Sequence, residues 1–119
     1  MGCALDQIAK SIVFYAPGSD FIVLFIAAGS NRIEPGLPHR AAGEALRPAG
    51  ATLIRARTGF AIGGVAPIGH LTPPVVFFDP RLLDFDVVWA AAGTPRHVFP
   101  IAPGNLQKLS TAQASDFTA

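Results

Sequence analysis

The 119-residue sequence predicts a single α+β domain, residues 1–119, built around a mixed β-sheet. Three observations carry that expectation. Half of the residues are hydrophobic and 14% are charged, which excludes a disordered polyelectrolyte. Segments rich in β-branched and aromatic residues outnumber segments with helical spacing. No internal repeat or linker divides the chain, and a chain this long buries roughly two-thirds of its unfolded surface, enough for a core without staples.

Taken in order, Leu5, Ile8 and Ala9 fall at i, i+3, i+4 and predict a short amphipathic helix that delivers Lys10 to the head of a strand. Ser11–Tyr15 and Phe21–Ala28 read as a β-hairpin, because the link Ala-Pro-Gly-Ser-Asp has turn chemistry. The second strand is apolar on both faces and so belongs inside the sheet. Between Gly29 and Gly50, three prolines and four glycines leave room for a helix only over Arg40–Arg47, and Gly43 weakens it by about 1 kcal/mol. Thr52–Ala56 reads as a strand, as do Val75–Phe78, Val87–Ala91 and His97–Ile101. A turn of helix is expected around Leu82 and Leu83. Pro103 suits the first turn of a helix through Leu109, where its missing N–H has no partner to lose.

The longest apolar run, Phe21 to Ala28, has eight residues, short of the ~20 that cross a bilayer as a helix. The start Gly-Cys-Ala-Leu-Asp lacks the positive charge of a secretory leader, and Asp6 occupies the position where myristoylation needs Ser or Thr. One cysteine, Cys3, cannot form an internal disulfide, and a reducing cytoplasm is the expected location. Net charge is +1, yet five arginines between Arg32 and Arg57 face only Glu34 and Glu44, a local balance of +3 against −2 elsewhere. Such a stretch suits a polyanion, and a solvated surface loop accounts for it as well. No aromatic residue interleaves those arginines to stack bases.

Most familiar catalytic constellations are missing. There is no Gly-x-Ser-x-Gly elbow and no Walker loop. His39, His70 and His97 lack metal-ligand spacing, so neither a metal nor a cofactor is expected. Asp79, Asp84 and Asp86 cluster around a turn, which suits capping as well as acid–base chemistry. The informative segment is Gly63-Gly64-Val65-Ala66-Pro67. Glycines let backbone approach a ligand closely, so successive N–H groups can converge on an ester carbonyl or a developing oxyanion. Pro67 fixes the exit of the turn. A plain tight turn uses the same residues.

Three blocks, in order, resemble the YbaK/ProX family, the free-standing relatives of the editing domain of prolyl-tRNA synthetases. They are Ile8-Ala9-Lys10-Ser11-Ile12-Val13-Phe14, the stretch from Thr58 through the glycine loop to His70, and Phe85-Asp86-Val87-Val88-Trp89-Ala90-Ala91-Ala92-Gly93-Thr94-Pro95. Together they span Ile8 to about Leu109. The resemblance implies a mixed sheet curled toward a barrel with short helices packed outside. It implies a cytoplasmic trans-editing deacylase that hydrolyses the ester of a mischarged, tRNA-Pro-like aminoacyl-tRNA, with Cys, Ala, Ser or Thr as the amino acid. Lys10 and Gly64 would be catalytic. Gly63, Val65, Ala66, Pro67, Gly93, Thr94 and His97 would bind substrate, with His70 a further pocket candidate. The implied partners are the tRNA acceptor end and a prolyl-tRNA synthetase, with no membrane and no metal.

Two departures accompany the resemblance. Family domains carry a helix and a strand before the lysine, whereas Met1 falls just ahead of it here, so an N-terminally shortened domain is expected. Glu34–Gly50 is richer in Pro and Gly than a regular helix. An inactive tRNA- or synthetase-binding module of the same fold is the alternative, and a small-molecule binder is a third reading.

Overall fold

The computed structural model describes residues 4–33, 36–61, 64–93, 97–115 and 117–118. The chain opens with one 3-10 turn, Leu5–Gln7, in place of the expected amphipathic helix. Strand β1 (Ile8–Ala16) starts earlier than the sequence suggested, because Ile8 and Ala9 pair with a later strand. It forms the expected hairpin with β2 (Phe21–Ala28), in register from Ala9↔Ala28 to Ala16↔Phe21. Asp20 takes the left-handed conformation at the turn (φ 61°), which a short polar side chain tolerates. Its carboxylate accepts from Tyr15 Oη at 2.6 Å and from Arg57 at 2.7 Å.

Helix α1 (Leu37–Ala42) lies ahead of the expected Arg40–Arg47 segment and stops at Gly43, whose φ of 72° ends it. Strand β3 is the two-residue piece Arg47–Pro48, too short to leave a sequence pattern. The expected strand over Thr52–Ala56 is instead helix α2 (Ala51–Thr58). Local β propensity is overridden here by burial of Ile54 and Thr58, which sit four apart on one helical face. Thr58 Oγ1 donates to Ile54 O at 2.7 Å, and Gly59 closes the helix at φ 83°.

Beyond the glycine loop come β4 (Val75–Phe78), a 3-10 turn over Pro80–Asp84, β5 (Val88–Ala91) and β6 (Val98–Ile101). Helix α3 (Pro103–Ser110) begins at the proline, as its chemistry required. Gln113–Ala114 forms β7.

The sheet runs β6-β5-β1-β2-β4-β7, with β3 added beside β1. It is mixed: β1/β2, β1/β3 and β5/β6 are antiparallel, while β1/β5, β2/β4 and β4/β7 are parallel. No described pairing joins β6 to β7, so the sheet does not close into a barrel. β2 is central, and Ile22 to Ala28 are all buried. One face packs Leu24, Ile26, Phe78 and Val88 against Ile54, Val65, Leu82 and Leu106. The other buries Phe25 among Phe14, Phe77 and Phe117, with ring centroids 4.8–5.6 Å apart. Among the described residues, no helix is long and apolar enough to cross a membrane.

One feature of this topology positions the site. β2 occupies one edge of β1 from Ala9 to Ala16. On the other edge, β5 covers only Ile8 and Ala9, and β3 covers only Phe14 and Tyr15. Residues 10–13 therefore face a slot in the sheet, and alternate backbone N–H and C=O groups point into it.

Candidate active site

A cavity of about 520 Å³ fills that slot. Ile8 to Val13 form its back wall, Pro48 and Ala49 one side, and Trp89, Ala91, His97 and Val98 the other. The buried side chains of Ile54 and Val65 complete it. Strand alternation sends Ala9, Ser11 and Val13 to the sheet face that carries Val65, and Lys10 and Ile12 to the opposite face. Residues of both alternations, Ile8 through Val13, border the cavity, whereas Gly29 and Asn31, which hold the Lys10 ammonium, lie outside its lining.

Lys10 thus lines the cavity together with Val65 and His97. Its ammonium is held by two carbonyls just beyond β2, donating to Gly29 O at 3.3 Å and Asn31 O at 2.5 Å. An ammonium has three N–H donors, and these two carbonyls engage two of them.

In the glycine loop, Gly64, Val65, Ala66 and Pro67 are all buried, and of these Val65 borders the cavity. The Gly64 N–H donates to Ala61 O at 3.0 Å and so closes the turn. Among the described residues, the Val65 N–H meets no acceptor. Behind the loop, Pro67 and His70 border a separate cavity of about 240 Å³ against Leu109–Thr111. His70 Nε2 lies 2.5 Å from Ala66 O, while Nδ1 is buried with no partner among the described residues. Burial pushes the His70 pKa down, against a smaller upward pull from the Ala66 carbonyl.

Gly93 adopts φ 96° after β5, where a Cβ would press on Phe60 at 3.2 Å; it shapes the turn and does not border the cavity. Gly63 and Thr94 lie outside the described residues. His97 is exposed at the mouth.

Sequence reasoning missed several lining residues. Ser11 carries a buried Oγ with no partner among the described residues. Trp89 is half-buried and lines the cavity from β5. Its alternation with the buried Val88 and Ala90 was the available signal. Of the basic stretch, Arg57 is committed to Asp20 and Arg47 stacks on Tyr15 at 5.2 Å. Arg47 and Arg55 directly adjoin the lining residues Pro48 and Ile54, and both are exposed.

The family model of the aminoacyl-tRNA editing domain matches residues 1–109. The uncharacterized protein YwhH of Bacillus subtilis (strain 168) is 32% identical over 110 residues, which cover 92% of this chain and 69% of that protein. A crystal structure of a proposed trans-editing enzyme for prolyl tRNA synthetase superposes with a TM-score of 0.93 at 42% identity, covering 99% of this chain and 74% of its own. A scaffold protein from work on computational grafting of linear epitopes superposes equally well, at 39% identity over the same shares.

Proposed function

The chain belongs to the aminoacyl-tRNA editing domain family, and from that premise we propose that it is a trans-acting deacylase of mischarged aminoacyl-tRNA. The substrate is a tRNA-Pro-like acceptor end carrying a small amino acid (Cys, Ala, Ser or Thr). The observation that carries this reading is the slot itself: Lys10, Val65 and an unpaired stretch of β1 backbone border one cavity. Its volume suits a terminal adenosine ester, within the roughly 300–1,000 Å³ of small-ligand sites.

An aminoacyl ester is already activated, so orientation and polarisation of its carbonyl suffice for hydrolysis. The remaining Lys10 N–H bears on the terminal phosphate or on charge building at the ester. The Val65 N–H, free of the turn that engages Gly64, donates to the carbonyl oxygen. Gly64 then serves by shaping the loop. Water oxygen bonds to the carbonyl carbon, the ester C–O bond breaks, and the ribose oxygen leaves with a proton. With cysteine, the substrate's own thiol can attack first. The exposed Arg47 and Arg55, next in sequence to the lining residues Pro48 and Ile54, are candidates to meet acceptor-stem phosphates.

The test is deacylation over a panel of mischarged tRNAs. Lys10→Ala is expected to lower kcat/KM by about 10²-fold or more, the scale for loss of one charge-stabilising donor, with the fold intact by circular dichroism. Equal rates for Lys10→Ala and wild type reject the assignment, and absence of turnover on every tRNA with retained binding favours an inactive tRNA-binding module.

A further inference from the structure

Lys10 is not left to find its own place. Its ammonium rests on the carbonyls of Gly29 and Asn31, and that short segment is pinned from beneath. Asp79, 97% buried where β4 ends, accepts through Oδ2 from the Ala28 N–H at 3.0 Å and from Asn31 Nδ2 at 2.8 Å. Its Oδ1 accepts from the Arg81 N–H at 3.0 Å. Both carboxylate oxygens are thus engaged, as a buried carboxylate requires. From the outer side, Asp6 accepts from the Ser30 N–H at 3.0 Å and from Ser30 Oγ, and Arg81 Nε reaches Asp6 at 3.3 Å. Gly29 lies so close to the Leu5 carbonyl that a Cβ would stand 2.2 Å from its oxygen.

We propose that Asp79 and Asn31 are positioning residues for Lys10: together they lock the 28–31 segment so that two carbonyls aim the ammonium in a fixed direction. The inference rests on the deacylase reading for its effect on turnover, but the locking itself does not. A lysine has a flexible four-carbon stem, and an unconstrained one spreads its charge over many rotamers. Main-chain carbonyls hold it without neutralising it, as a carboxylate would. Asp79 acts one layer further out, holding the backbone that presents those carbonyls. A capping role for the 3-10 turn explains the bond to Arg81 but not the two bonds to the Ala28 and Asn31 donors.

The chain has two lysines, Lys10 and Lys108, and the second is exposed on α3. Competitive acylation of the intact protein with a limiting amine-reactive ester, read by mass spectrometry, therefore reports Lys10 against an internal standard. Asn31→Ala and Asp79→Asn are expected to raise the Lys10:Lys108 labelling ratio about fivefold, on the scale of one ordinary net hydrogen bond. Asp84→Asn, which touches Arg81 at 2.9 Å but not the 28–31 segment, is expected to leave it unchanged. In deacylation, the same two variants are expected to lower kcat about fivefold with KM held. Should the buried Asp79→Asn fail to fold, Asn31→Ala alone decides. An unchanged labelling ratio in folded Asn31→Ala overturns the proposal. A raised ratio with unchanged deacylation upholds the lock and instead removes Lys10 from the reaction.

Discussion

His70 lies behind the glycine loop and shows how a single ring holds that loop's shape. A carbonyl only accepts, so the 2.5 Å approach of Nε2 to Ala66 O places the proton on Nε2. Protonating Nδ1 as well would create a buried donor with no acceptor, and burial accordingly depresses the pKa below its ordinary 6.5. The unfolded chain then binds more protons than the fold once pH drops through 6.5, so the fold loses stability on acidification until its own lower pKa is passed. His70→Gln keeps a donor for Ala66 O without a titrating group. Its urea midpoint is expected to vary less than that of wild type as pH falls from 6.5, whereas parallel curves for the two proteins would exclude the effect. Lys10 and the glycine loop were legible as candidates in the sequence because they belong to blocks whose residue types are chemically distinctive. The partner of Gly64 was not, since which N–H of a Gly-Gly turn closes it depends on φ and ψ that either glycine accepts.

At the level of elements, the sequence was clear where periodicity or punctuation was strong. The hairpin, β4 and the Pro103 start of α3 follow from apolar runs, turn residues and the place proline tolerates. It misled over Thr52–Ala56, where a short β-branched run hid an Ile54/Thr58 pair spaced for a helix. β3 and β7, two residues each, exist only because neighbours supply their hydrogen bonds. The slot itself was illegible for the same reason, since it is defined by where β5 and β3 stop pairing with β1. Helix ends give a sharp check. Gly59→Ala at φ 83° is expected to lower stability by about 1–2 kcal/mol in urea unfolding, mostly from backbone strain, since the Leu71 side chain 3.0 Å away is exposed and can yield. Gly104→Ala in α3, with open space around the added methyl, is expected to raise it by about 0.4–1 kcal/mol. Equal effects of the two would contradict this reading of the caps.

For the whole molecule, the central feature is the gap along residues 10–13 of β1, which β5 and β3 leave uncovered on one edge. β2 and its neighbours bury the core on both faces, and residues 10–13 of β1 border one hollow together with Val65 of the loop. On the proposed deacylase reading, such a site needs few functional side chains, consistent with the sequence's lack of the usual catalytic constellations. The Pro- and Gly-rich stretch before α2 supplies one side of the hollow through Pro48 and Ala49. The most direct measurement is the map of backbone amide shifts when the protein is titrated with an amide-linked, non-hydrolysable aminoacyl-adenosine. The largest changes are expected at residues 10–13, Val65, Ala91 and Val98. Changes confined to the smaller cavity of Pro67–His70 and Leu109–Thr111, or none at saturating analogue, would contradict the slot as the acyl site.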